Sequence, residues 1–218
     1  MTWNWEQPDW PNFVWKSSRL AAAEQQFLVG GGTFVGAIKH LGEDDRNQLT
    51  VEAISTEAVT TSEIEGEILD RASVQSSIQR QLGLAADNRR AAPAERGVSE
   101  MMVNLYKTFA APLSDDMLFE WHRMLMGGRQ DSPDVGRYRT GAEPMQIISG
   151  AMGAPKIHFE APPSAKIPSE MKKFIAWFNR TAPPDAEPLP ALTRAGAAHL
   201  YFESIHPLKT ATGASDAR

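Results

Sequence analysis

The chain has 218 residues, 42% of them hydrophobic and 22% charged, and a net charge of −5. That length allows one large domain or two small ones with ordinary soluble cores. The acidic balance excludes general nucleic-acid binding, and the lack of cysteine excludes disulfides and thiolate metal sites. The first residues have neither the charged start nor the apolar run of a signal peptide. No stretch reaches the roughly 18 apolar residues of a membrane helix. The expectation is a soluble cytoplasmic protein with no membrane or nucleic-acid partner.

Trp3, Trp5, Trp10 and Trp15 are interleaved with Pro8 and Pro11, which forbid a regular helix there. This segment reads as an arm that pins its indoles onto a helical body. Ser17 and Ser18 cap a helix to about Val29, which Gly30, Gly31 and Gly32 break. A second helix covers about Phe34 to Leu41. Thr50 caps a third, with Glu52 in its first turn. A fourth runs from about Ser73 to Leu82 and stops at Gly83. Residues 85–94 read as a linker. Met101, Met102, Leu105 and Phe109 give the one-sided spacing of a helix over about Glu95 to Phe109. Ser114 caps a helix over Asp115 to Met126. The β-prone run Gln146, Ile147 and Ile148, the turn glycines Gly150 and Gly153, and the alternating stretch Lys156 to Phe159 predict a hairpin. Two further helices cover about Ser164 to Arg180 and Pro190 to Ile205. The second is apolar nearly all round and is expected in the core. The fold class is therefore all-α with one β-hairpin. His40, His122 and His199 lack metal-ligand spacing and read as packing residues, as does His158 within the hairpin. Arg137 and Arg139 suit either phosphate contact or a surface role.

Three stretches carry a resemblance. "WNWEQPDWPNFVW" (Trp3 to Trp15) opens the chain, "TSEIEGE" spans Thr61 to Glu67, and "PMQIISGAMGAPKIHFEAPP" spans Pro144 to Pro163. In that order, followed by an apolar helix ending in His206–Pro207, they resemble the Fic family with its tryptophan-rich N-terminal domain, inhibitory motif and flap hairpin. The resemblance implies three parts: residues 1–84 as the N-terminal domain, 85–94 as the linker, and 95–218 as a partial Fic domain. The flap would be 144–163 and the start of the signature 206–218.

The family signature then departs. Its pattern is HPFxDGNGRxxR, and this chain reads "HPLKTATGASDAR". His206 and Pro207 match, and Gly213 falls on the second glycine. Thr210 stands at the Asp, Thr212 at the Asn, and Ala214 and Ala217 at the two Arg. A family ending HPFEDGNGRIGRA, suitably coded, loses one base after the Pro codon and becomes Leu-Lys-Thr-Ala-Thr-Gly-Ala-Ser-Asp-Ala. That is the sequence of residues 208–217. The expectation is a family member frameshifted by a one-base deletion, natural or a sequencing error, and so C-terminally truncated. The family's further helices would then be missing, and the helix ending at Ile205 would expose an apolar patch.

By resemblance, His206 is the catalytic base for AMP transfer from ATP to a protein hydroxyl. Thr61, Glu65 and Gly66 form the inhibitory motif, whose Glu65 would pair with the second arginine, here Ala217. Gln146, Ile147, Ile148, Lys156 and His158 belong to the target-binding flap. Gly213 is the remnant of the nucleotide loop. The family uses ATP and Mg2+, but the Mg2+ ligand is absent here, and a lysine at 209 would repel the ion. The implied function is a protein adenylyltransferase by descent, inactive or nearly so as written. The alternative is a non-catalytic interaction module for a protein partner or a second copy of the chain.

Overall fold

The structure is a computed structural model that describes residues 2–85, 87, 89–127, 134–149, 156–183 and 187–209. These form seven α-helices and one two-stranded antiparallel hairpin, so the fold is all-α with a hairpin. The residues divide into two compact units, 1–31 with 137–218 and 32–136.

Helix α1 (Ser17–Ile38) runs through Gly30, Gly31 and Gly32 without interruption. The expected break, and with it the separate helix from Phe34, does not exist. Glycine in a helix interior costs about 1 kcal/mol against alanine but does not forbid helical dihedrals. A side chain at any of these glycines would meet nothing within 4 Å, so nothing in the structure explains the triplet.

Residues 32–136 contain α2 (Glu43–Ile64), α3 (Arg71–Gln81), α4 (Pro93–Thr108) and α5 (Asp115–Leu125). Thr50 lies inside α2 and caps nothing; the helix starts after Gly42, and Glu43, Asp44 and Asp45 fill its first turn, where the helix dipole favours anions. Helix α3 starts two residues before the expected Ser73, because the Asp70 side chain accepts from the Ser73 amide at 2.8 Å. Gly83, at φ +75°, ends it. Pro93 opens α4 from within the segment read as a linker, at a position where proline has no amide to waste. The Ser114 hydroxyl accepts from the Met117 amide at 3.2 Å and caps α5, as expected. Val51, Ile54 and Ala58 of α2, Val74 and Ile78 of α3, and Val98 and Val103 of α4 make the core. Gly97 sits against α5, where an added Cβ would run into the Met124 carbonyl oxygen.

The other unit is built around α6 (Ile167–Arg180), α7 (Ala191–Ile205) and the hairpin β1 (Gln146–Ser149) and β2 (Lys156–Glu160). Gln146 pairs with Glu160 and Ser149 with Lys156, with a bulge between Ile147 and Ile148. Helix α7 is not buried all round. Ala198, Tyr201 and Ile205 are buried, while Leu192 and Leu200 face solvent. The tryptophan arm does what its composition predicts. The Trp5 indole donates to the Glu160 carbonyl at 2.6 Å and the Trp10 indole to Glu170 at 2.9 Å. Trp3 stands edge-on to Phe159, and Trp10 and Phe13 edge-on to Tyr201. Phe174 and Trp177 of α6 complete the ring cluster. Pro190 precedes α7 and supplies no side-chain cap. Glu24 of α1 replaces one, accepting from the Thr193 and Leu192 amides at 2.7 and 3.1 Å.

Candidate functional site

His206 closes α7 in the left-handed conformation, with φ 46° and ψ 63°. Such a dihedral costs a residue with a Cβ roughly 1–2 kcal/mol, so the surrounding bonds must enforce it. They do. The His206 amide donates to Phe202 at 2.9 Å, ending the helix. Its carbonyl accepts from Arg139 Nε at 2.8 Å, and the Arg139 amide donates to the Pro207 carbonyl at 2.9 Å. The same guanidinium reaches the Pro162 carbonyl and the Ser164 hydroxyl just past the hairpin, and the Ile205 carbonyl at the helix end. Arg139 is 5% exposed, and burial pulls its pKa down. It does not lie on the surface, one of the two roles the sequence offered. It ties the histidine turn to the hairpin exit.

The imidazole has two unlike nitrogens. Nδ1 lies 3.8 Å from Glu203 Oε2, one turn earlier in α7. That is ion-pair distance, too long for a direct hydrogen bond. The His206 imidazole nonetheless holds the Glu203 carboxylate below its ordinary range, against burial that raises it, and His199 adds to the lowering. Nε2 is buried and has no hydrogen-bond partner among the described residues. A carboxylate on the Nδ1 side favours the tautomer that leaves Nε2 free to accept a proton. Glu203 was not picked out from the sequence, although its three-residue spacing before His206 on an expected helix was readable. Arg139 carried no such signal, because its partners are backbone carbonyls far along the chain.

The hairpin residues stand together in the same unit. Gln146 donates to Glu160 at 2.6 Å, and the Ser149 hydroxyl and His158 Nε2 are 2.6 Å apart across the strands. Ile147 and Ile148 are exposed and Lys156 faces solvent. The turn between the strands, with Gly150 and Gly153, lies outside the described residues.

Thr61, Glu65 and Gly66 lie in the other unit, at the end of α2. Thr61 donates to Glu57 at 3.3 Å. Glu65 is the C-cap, and its amide bonds the Thr61 carbonyl at 3.2 Å. Gly66 takes φ +82°, and the Gly66 and Glu67 amides return to Glu63 and Ser62. This is a left-handed helix stop, for which glycine is the residue of choice. The Glu65 side chain is exposed and takes no partner among the described residues. The described residues thus hold His206 and the hairpin in one unit and the Glu65 motif in the other. Gly213, Ala217 and the rest of 210–218 lie outside them. Among the described residues no group of three His, Asp or Glu side chains could hold a metal. Among the described residues no helix is long and apolar enough to cross a membrane.

Residues 112–214 match the Fic/DOC family profile, and residues 3–84 match a domain of unknown function, DUF4172. The fold is similar to that of a Fic family protein from Desulfovibrio desulfuricans G20, at 22% identity and TM-score 0.56, covering 95% of this chain and 56% of that one. It is also similar to a Fic domain-containing signaling protein from Bacteroides thetaiotaomicron VPI-5482, at 19% identity and TM-score 0.57, covering 82% and 64%. The chain therefore spans less than two thirds of either structure's length. No curated protein matches it.

Proposed function

We propose that this chain, whose residues 112–214 form a Fic/DOC family domain, descends from enzymes that transfer AMP to proteins and has itself lost that transfer. One observation carries the reading. The half of the site before Pro207 is built for proton transfer, with a buried, unpartnered Nε2 on a strained histidine backed by Glu203. The half after Pro207 has no chemistry to match. ATP and Mg2+ do not fit the residues present. Lys209 and Thr210 offer no carboxylate for a hard cation. Ala214 and Ala217 cannot fork onto phosphate, and Gly213 alone does not rebuild a phosphate-cradling loop. Each missing donor of this kind costs about 10²–10³ in rate.

The test is transfer of label from ATP carrying radioactive α-phosphate, with the protein mixed with extract proteins. The chain as written labels nothing. A version with one base restored after the Pro207 codon labels itself or a target, and Glu65→Gly in that version labels more. Label transfer by the chain as written that disappears in His206→Ala overturns the reading.

The hairpin favours a second role, as a protein-binding module. Ile147 and Ile148, at 63% and 48% exposure, leave the apolar side chains of β1 uncovered, and such a strand can add a partner's extended segment by main-chain pairing. The partner would be a protein, including a second copy of this chain. Capture of a defined partner that Ile147→Lys abolishes supports this role. Capture unaffected by that change removes it.

A further inference from the structure

The end of α3, the segment after it and the first turns of α4 enclose an open hollow of about 350 Å³. Arg80, Arg89, Arg90 and Arg96 line it, with Glu100 as the one carboxylate. This concentrates positive charge within a chain whose net charge is −5.

The four arginines are not equivalent. Arg80 donates to the Ser76 hydroxyl and to the Asp87 and Arg89 carbonyls at 3.0–3.1 Å, which fixes the segment over the end of α3. Arg89 pairs with Asp87 at 3.4 Å and Asp70 at 3.7 Å. The side chains of Arg90 and Arg96 make no hydrogen bond or ion pair with any described residue. Arg96 makes none with Glu100 even though that carboxylate lies one turn along its own helix. At the floor, Ser77 is 4% exposed, and its hydroxyl also takes no partner among the described residues. As it lines the hollow, it can donate to a ligand oxygen.

The chemistry selects the ligand. Two uncommitted guanidinium forks match phosphate oxygens bidentately. The volume lies at the small end of ligand sites, which run about 300–1,000 Å³. No aromatic ring lines the hollow, and Ala91 is its one apolar residue, so a base would find nothing to stack on. We propose that this hollow binds a small phosphate-bearing ligand of about pyrophosphate size, held by Arg90 and Arg96 with Ser77 donating to a further oxygen. The site lies within residues 77–100 and owes nothing to His206 or to the sequence after Pro207.

The experiment is calorimetric titration of the full chain with inorganic phosphate, inorganic pyrophosphate and ADP at constant ionic strength. Pyrophosphate binds once and saturably, ADP binds about as tightly, and phosphate binds roughly tenfold more weakly because it offers fewer oxygens. The double variant Arg90→Ala/Arg96→Ala weakens pyrophosphate by about tenfold or more, with its Tm unchanged because neither side chain has a partner to lose. Ser77→Ala weakens it less, and Lys172→Ala on α6 has no effect. Arg90→Ala alone, a position outside any helix, moves affinity the same way and covers a folding defect in the double variant. The proposal is overturned if pyrophosphate shows no saturable binding below about 10 mM. It is also overturned if the double variant binds as wild type does, or if ADP binds far more tightly than pyrophosphate.

Discussion

Residues 32–136 build their core from valine, isoleucine and alanine on consecutive helices, each packing on a near neighbour in sequence. The other unit builds its core from aromatic rings that arrive from opposite ends of the chain, Trp10 and Phe13 meeting Tyr201. Asn4 donates to Ser204 across 200 positions. The first arrangement closes short loops and should form early; the second must close a long one before any contact rewards it. The contrast also separates their weak points. Small residues set close helix approach in the first, as at Gly97, whereas the second depends on a few side chains that bond distant backbone.

The largest test of that contrast is Tyr201→Ala. Tyr201 is fully buried among four aromatic rings, and burial, then the Glu170 charge, pushes its hydroxyl pKa up. Its loss should cost about 3–5 kcal/mol. In urea unfolding followed by tryptophan fluorescence and by helix content, the fluorescence transition should move and leave residues 32–136 folded. A single transition shifted for both signals would show that the units do not unfold separately. Next comes Arg139→Met, which leaves carbonyls at Pro162, Ile205 and His206 without their donor. It should cost about 3 kcal/mol, again in the aromatic unit alone. Gly97→Ala is the counterpart in the aliphatic unit. It pushes α4 off the Met124 carbonyl and should cost about 1–3 kcal/mol, visible as a lower urea midpoint for helix content.

Acid gives the smallest effect and reaches both units. The Ser73 hydroxyl and amide hold Asp70 below its usual pKa, and the Ser76 hydroxyl and Arg89 amide do the same for Asp87. For Glu24, partial burial pushes upward, but the Thr193 and Leu192 amides win and the pKa is lowered. A depressed folded-state pKa means stability that is present above the unfolded carboxylate value, about 4. That stability is lost as pH falls through the folded value. Tm should therefore be flat from neutral down to about pH 5 and drop below about pH 4. Glu24→Gln should flatten that acid limb for the aromatic unit only.

Local signals were legible in the sequence, and distant ones were not. The Ser114 cap, the Gly83 stop and the two hairpin strands each rest on residues within a few positions, and they stand where their chemistry puts them. The passage of α1 through three glycines was misread because propensity is a weak preference that an otherwise helical segment overrides. Thr50 was misread because a good cap residue also sits comfortably inside a helix whose start is set upstream. At the site, His206 and Pro207 were readable as a motif. The left-handed turn that displays the imidazole was not, since Arg139 enforces it from 67 residues away. The glycine after Glu65 was readable as part of an inhibitory signature, and the structure gives it a plainer duty as the stop of α2.

Arg139 has a mechanical consequence. One planar, inflexible cation grips the strand exit at Pro162 and the backbone on either side of the imidazole. A shift of the hairpin at Pro162 changes the bonds that hold the His206 turn, because the same guanidinium makes both. Whatever docks on the hairpin therefore pulls on the histidine as well.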